Sequence, residues 1–333
     1  MIQRKGSGAA AGLIVWLLSF QAASPCTTFC LARGEEVVFG RNYDFEIGYG
    51  MVTVNKRGLE KSSQRDHGAR WTSRYGSVTF NQFGRDNPMG GMNEKGLVVE
   101  LMWLDGTRYP KPDARPEVGT LEWIQYQLDT AATVGEVLAS AKKIRILEHG
   151  TPLHYLVADA SGGIATIEFL DGELVAHRNE SLPVAALAND RYADSLARMK
   201  SGANDRFARA AKGLATATTI DGAFALLDHV AQPTTRWSIV YDIRNRAVRW
   251  RTQENRERRD LRFAALDFRC ASPVRILDVD AGRGDVASQF RDYTRAHNES
   301  LVRKSTLGTS FLRDTPEAEI VESARWPERA VCR

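Results

Sequence analysis

Histidine and cysteine are scarce in this chain. The six histidines are scattered through 333 residues, and none stands at the HExxH spacing that sets two imidazoles on one helix face. The four cysteines, Cys26, Cys30, Cys270 and Cys332, form no CxxC, and Cys26-x3-Cys30 has no second pair to complete a zinc site. Neither a metal nor another cofactor is expected. Charge of one sign is lacking too. Lys and Arg number 45 against 41 Asp and Glu, and Arg4 and Lys5 supply two units of the resulting +4. Nothing there steers the chain toward nucleic acid or an anionic membrane. The arginine-rich stretch from Arg244 to Arg262 alternates with apolar residues on a hairpin and has no aromatic ladder, so it reads as a solvated face. After the first twenty residues no apolar run is long enough to span a bilayer. Repeats, low-complexity linkers and composition breaks are also missing. One glycine-rich strand–turn, "RILDVDAGRGD", resembles a methyltransferase motif, but too little chain follows it for the βα units that fold needs.

What is present begins at the N-terminus. "MIQRKGSG" is a short basic region, "AAAGLIVWLLSF" an apolar one too short to cross a membrane, and "QAAS" supplies small residues for cleavage. Residues 1–25 are therefore expected to be a signal peptide with a short pro-segment, removed on export. The mature protein would be periplasmic or secreted, with no further membrane contact. Pro25 is awkward beside a signal-peptidase cut. Cleavage just upstream followed by trimming of a few residues would resolve it.

The mature chain, 26–333, reads as one α+β domain. "TTFCLA" and "EVVFG" are β-prone runs around the turn "RGE", and "MVTVN" is another. "GLVVELMWL" is nearly continuous apolar sequence, as in a strand buried on both faces. "TLEWIQYQLDTA" and "TVGEVLASAKKI" then switch to helical spacing, with Thr120 and Thr133 as N-caps. A three-stranded meander follows in "HYLVADASGGIATIEFLDGELVAHR". Helical patterns come at about 190–200, 204–214 and 219–230, then a hairpin, "RWSIVYDIRNRAVRWRT". A helical stretch is expected from about 284 to 304, and an irregular tail after 305. Blocks of strands alternating with blocks of helices predict a layered α+β domain rather than a βα barrel.

Cys26 stands where the signal should end. It could be lipidated, disulfide-bonded, a core filler, or the first residue of a mature enzyme. Lipidation asks for a Leu-like residue three positions earlier and a small one just before, where Ala23 and Pro25 stand. As a new N-terminus, Cys26 would carry an α-amine with a pKa near ~8. Part of it is unprotonated near neutral pH and can take the thiol proton, so no histidine is needed. "EVVFGRNYDF" would return antiparallel to "TTFCLA" and bring Arg41 and Asp44 back beside Cys26. A cation there lowers the thiol pKa, and a carboxylate can hold the α-amine. Cys30, at even spacing on the same strand, is expected in the core, and Cys270 is expected to pair with Cys332 and tie down the tail.

"PCTTFCLARGEEVVFGRNYDF" resembles the opening of the choloylglycine hydrolase and penicillin V acylase family, whose exposed Cys is followed by a G-R-N-x-D-[WF] turn. Further pieces follow in family order. "MNEKGLVVELMWLDG" resembles the N-E-x-G-L strand, and "LHYLVADASGGIATIEFLDGEL" with "AALANDRYADSL" the hairpin ending in a catalytic Asn. "DRFARA" resembles the segment carrying the last site arginine, and "TTRWSIVYD" the late strand, so the set covers about residues 26 to 300. The resemblance implies a four-layer αββα sandwich of N-terminal-nucleophile (Ntn) hydrolases, with two antiparallel sheets between helical layers. It implies hydrolysis of a linear amide in a small N-acyl substrate. Cys26 would be nucleophile and base, tuned and positioned by Arg41 and Asp44. Asn189 would donate to the oxyanion, and Arg206 would complete the charge network, with Arg236 competing for that last place.

Two departures bear on the substrate and the assembly. At the position that is Asn in bile salt hydrolases, this chain has Trp103, an apolar wall in place of a polar side chain. The gap from Asn189 to Arg206 is short, so the insertion that locks bile salt hydrolase tetramers is missing, although a homo-oligomer of another kind remains open. Both features, with the signal segment, resemble the Gram-negative branch, which tends toward penicillin V and N-acyl homoserine lactones. Conjugated bile salt hydrolysis is the alternative. A non-catalytic exported binding protein that keeps the fold, and the residues before Cys26, is the alternative of another class.

Overall fold

The computed structural model describes residues 26–34, 36–65 and 67–333. The signal segment expected at 1–25 lies outside the described residues.

The hairpin that opens the described chain sets the architecture. Thr27–Arg33 pairs antiparallel with Glu36–Asp44, Thr28 facing Arg41 and Arg33 facing Glu36. Thr235–Asp242 pairs with the other edge of Glu36–Asp44, so the hairpin sits in the middle of a seven-stranded sheet. A nine-stranded sheet lies against it, with Val98–Trp103 near its centre between Pro88–Asn93 and Leu153–Ala158. Val98 to Met102 are all buried, as the continuous apolar run requires. Phe80 of the nine-stranded sheet meets Trp237, Tyr241 and Trp250 of the other at ring-centroid distances of 6.4, 6.3 and 5.5 Å. These contacts fix the two sheets face to face. Helix Thr120–Thr130 covers the nine-stranded sheet, and helices Arg206–Leu214 and Ile220–His229 cover the seven-stranded one. The order is helix, sheet, sheet, helix, the sandwich the resemblance implied.

Local chemistry explains the elements. Leu153–Ala158, Ile164–Leu170 and Glu173–Arg178 form the expected meander. Its second turn is the two-residue loop Asp171-Gly172, with φ of 53° and 85°, the doubly left-handed conformation of a tight hairpin. Thr133 caps helix Val134–Ser140 by accepting from the Glu136 N–H at 3.2 Å. Thr120 does not cap its helix. Gly119 takes that place, and its N–H donates to Glu122 Oε2 at 2.7 Å, so the acidic side chain does the capping.

The C-terminal expectations need correction. Helix starts only at Arg295 and runs to Gly308, because Gly284–Asp285 and Arg291–Asp292 are drawn into the two sheets as short edge strands. The tail is ordered rather than irregular. Helix Glu317–Arg325 packs against Arg295–Gly308, and Val331–Cys332 pairs with Leu59–Glu60. Tertiary pairing overrode weak local signals in both places. Cys270 and Cys332 form the expected disulfide, closing a separation of 62 residues, while Cys26 and Cys30 are free and buried. Closing a loop of that length is worth about 4 kcal/mol on the chain-entropy account. A thiol titration of the denatured, unreduced protein should find two free thiols, and Cys332→Ser should lower Tm by several degrees. Four thiols would rule the bridge out.

Candidate active site

The first hairpin carries Cys26 to the end of the seven-stranded sheet, with its side chain buried and its Sγ 3.6 Å from the Asp44 carbonyl oxygen. Four of the residues singled out in the sequence converge there. Asp44 ends the second strand, and the Thr235 hydroxyl of the neighbouring strand donates to its Oδ1. Arg206 opens its helix after the cap Asp205, whose side chain accepts from the Ala208 N–H. Its Nη1 lies 3.3 Å from the Cys26 carbonyl oxygen, 3.3 Å from Thr27 Oγ1 and 3.4 Å from Asp44 Oδ2. Arg236 turns away and donates instead to the Phe45 and Glu46 carbonyls at 2.9 and 2.6 Å. Of the two arginines, Arg206 is the one whose guanidinium lies against Cys26 and Asp44.

Arg41 is completely buried. It donates to the Met89 carbonyl at 2.6 Å and forms an ion pair with Glu100, which also accepts from Tyr241 O–H at 2.5 Å. Its Nε and Nη2 have no hydrogen-bond partner among the described residues. Glu100 was not anticipated, although a lone carboxylate in "GLVVELMWL" was the signal: a charge in a strand buried on both faces needs a partner. Gly90 makes room for it, since a Cβ there would collide with the Glu100 carboxylate.

Asn189 follows the short strand Ala186–Leu187, which pairs with the Cys26 strand at Thr28↔Leu187. Continuing that register two residues brings Asn189 opposite Cys26. Asn189 Nδ2 donates to the Trp103 carbonyl at 2.8 Å, leaving its second N–H uncommitted there. The buried His154 donates from Nε2 to the Ala188 carbonyl at 2.7 Å, and Glu168 accepts the Tyr192 N–H at 2.9 Å, so both fix the chain around Asn189. His154 thus has a bracing place, and no Cys–His pair forms among the described residues.

Electrostatics set the resting state. Burial pushes the Cys26 thiol up, Arg41 pulls it down, and the net direction is upward. The thiol rests protonated at neutral pH and needs a base. Burial pushes Asp44 up to about 6, against Thr235, Arg206 and Arg41. Burial works against the charge on Arg41, but Glu100, Cys26, Tyr43 and Tyr241 together offset it and the guanidinium stays charged. Burial also pushes Glu100 up to about 7, with Arg41 and Tyr241 opposing. The pair differs because Glu100 has one cation to answer its desolvation, whereas Arg41 faces several partners. Glu100→Ala would leave the Arg41 charge buried and uncompensated. A loss of about 3–5 kcal/mol in stability is expected, read as a lower denaturation midpoint. Glu100→Gln should lose less.

A cavity of about 670 Å³ opens onto Cys26 and Asp44, with Phe45, Phe83, Leu101 and Trp103 among its walls. Trp103 is among the residues lining the cavity, and its Nε1 donates to Asp105 at 2.6 Å. A larger cavity of about 1320 Å³, around Arg108, Tyr109 and Phe169, holds none of the converging residues.

Residues 26–195 match the family described as linear amide C-N hydrolases, choloylglycine hydrolase family. The chain belongs to this family. The choloylglycine hydrolase match covers Cys26, Arg41, Asp44, Trp103 and Asn189 and stops short of Arg206 and Arg236. A penicillin V acylase from Pectobacterium atrosepticum is 36% identical over 130 residues, 34% of this chain and 35% of that protein. A bile salt hydrolase/transferase from Lactiplantibacillus plantarum is 30% identical over 168 residues, 46% of this chain and 49% of that protein. The chain thus aligns with about a third to a half of the length of these two relatives. Among solved structures, penicillin V acylase from Agrobacterium tumefaciens superposes with a TM-score of 0.72 at 26% identity, covering 81% of this chain and 98% of that one. A conjugated bile acid hydrolase from Clostridium perfringens shares the fold, with a TM-score of 0.64 at 16% identity over 78% of this chain and 98% of that one.

Proposed function

We propose that the chain is an exported amidohydrolase that cleaves linear amides with Cys26 as N-terminal nucleophile. The observation that carries this is the convergence of Arg41, Asp44 and Arg206 on a buried cysteine that needs a base but has no histidine beside it. Removal of residues 1–25 supplies that base as the α-amine. The Sγ–H proton passes to the amine as Sγ bonds to the amide carbon. Asn189 Nδ2–H and a backbone N–H stabilise the oxyanion. The α-ammonium then returns the proton to the amide nitrogen as the C–N bond breaks, and the amine leaves. Water adds to the thioester carbon, giving its proton to the α-amine, and the carboxylic acid departs as Sγ regains a proton. Arg206 holds the Cys26 carbonyl through this cycle, Asp44 holds the α-amine, and Arg41 stabilises the thiolate. The Cys270–Cys332 disulfide supports a periplasmic or secreted location, where such bonds persist.

The intact mass of the purified protein tests the processing step. A chain starting at Cys26 is expected. A stable, active protein beginning upstream would overturn the reading, and an inactive one would favour a binding protein on this fold.

Trp103 supports penicillin V or N-acyl homoserine lactone turnover over bile salt hydrolysis. An apolar wall favours an aryl or alkyl acyl group, and steroid hydroxyls left unpaired against it would cost about 1–3 kcal/mol each. Phenoxyacetyl or long-chain acyl amides should exceed glycocholate in kcat/KM by at least about tenfold. Trp103→Asn should narrow that gap mainly by losing the acyl substrates. Preference of the unaltered protein for glycocholate would reverse the assignment.

A further inference from the structure

The family match ends at residue 195, yet much of the cavity wall away from Cys26 comes from the last forty residues of the chain. This C-terminal hairpin, Arg295–Gly308 followed by Glu317–Arg325, is anchored at several points around the cavity. Fully buried Asn298 accepts the Arg85 N–H at 2.8 Å and donates to the Ala324 carbonyl at 2.8 Å. Val302 packs where a Cβ on Gly84 would sit, and Gly84 takes a φ of +91°. The Glu46 carboxylate accepts the N–H and O–H of Ser310 at 2.9 and 2.6 Å. Trp326 Nε1 donates to the Ser62 carbonyl at 2.7 Å, and Cys332 is bonded to Cys270. Between these anchors, Phe311 is 55% exposed and sets its ring edge against Trp103 at 5.8 Å between centroids. Ala318 lines the same cavity from the second helix and is exposed.

A large aromatic ring left half in water, on a segment held this firmly, has unburied apolar area facing the nucleophile's cavity. We propose that the C-terminal hairpin is the specificity wall of the site, with Phe311 and Ala318 measuring the length of an aliphatic acyl chain whose carbonyl lies at Cys26. The inference rests on the acylase reading for the place of the carbonyl. The chain enters between Trp103 and Phe311 and runs along the hairpin toward Ala318. Each methylene of an acyl chain buried against the wall adds about fourfold in affinity.

Binding of the carboxylic acid products, butanoate through dodecanoate, to the full processed chain by titration calorimetry tests this without turnover. In the unaltered protein affinity should climb by about fourfold per methylene until the wall ends. Phe311→Ala, at an exposed position, should weaken dodecanoate at least about tenfold while leaving butanoate unchanged. Ala318→Trp should bring the plateau to shorter acids. Melting curves of both variants should match the unaltered protein, since neither position is buried. A uniform loss across the series, no loss in either variant, or an affinity independent of chain length in the unaltered protein overturns the proposal. Absence of amide hydrolysis with length-dependent acid binding intact would defeat the catalytic reading and leave the wall standing.

Discussion

Cys26→Ser should lower kcat/KM for any amide substrate at least about a thousandfold, equivalent to ~4 kcal/mol of transition-state stabilisation. A serine hydroxyl is a far weaker nucleophile than a thiolate at neutral pH, and an α-amine with a pKa near ~8 cannot ionise it appreciably. The arrangement around Cys26 is built for an anion on sulfur. Arg41 stays charged beside it, with Nε and Nη2 unspent on any other partner among the described residues. The oxygen can keep the contact to the Asp44 carbonyl that Sγ makes at 3.6 Å, so folding should survive the exchange. Near-normal melting with activity lost is therefore the expected pair of results, read by differential scanning calorimetry and initial rates. Substantial residual turnover would place the nucleophile elsewhere.

Asp44→Asn should reduce kcat by about a hundredfold or more, because the α-amine that carries the proton would lose the carboxylate that holds it. The side chain is fully buried, accepts from Thr235 and lies 3.4 Å from Arg206 Nη1, so no other carboxylate can take its place. With the α-amine as the base, kcat/KM should fall on the acid side as that amine protonates from its ordinary pKa near ~8, and Asp44, pushed up to about 6, should add a further loss that Asp44→Asn removes. Stability moves the other way. Asp44 holds its proton more tightly folded than unfolded, so the burial cost of its charge applies in full above about pH 6. As pH falls toward the ordinary carboxylate range the folded state takes up the proton first, and stability rises by up to ~3 kcal/mol. Glu100, also pushed up, acts in the same direction. Asp86 is held below the ordinary carboxylate range, Lys61 and Arg85 overcoming its burial, so its contribution is lost only in more acid solution. Between pH 7 and pH 5 the protein should therefore lose activity while Tm holds or rises. A Tm that falls in parallel with activity would mean that acid unfolds the site rather than titrating it.

How much of this was legible varies residue by residue. The hairpin of "TTFCLA" and "EVVFGRNYDF" could be read because its period and turn are local, and antiparallel pairing then forces Arg41 and Asp44 back toward Cys26. The meander, with its Asp171-Gly172 turn, was legible for the same reason. Arg206 was separable from Arg236 only by motif, and the structure separates them by where each guanidinium donates. Asn189 reaches Cys26 through an edge strand of two residues, too short to carry a periodic signal of its own.

The sequence by itself determined the return of Arg41 and Asp44 toward Cys26 and the layered α+β class. Those follow from short-range pairing and from apolar periodicity, which a single strand or helix already expresses. Only the tertiary structure decided what stands behind and above them. Glu100 and Tyr241 come from different sheets to hold Arg41, and the C-terminal hairpin closes over Trp103 from about two hundred residues away along the chain. Such contacts depend on how two sheets and a tail pack. Burial between layers is a property of the whole assembly, so no local pattern records it.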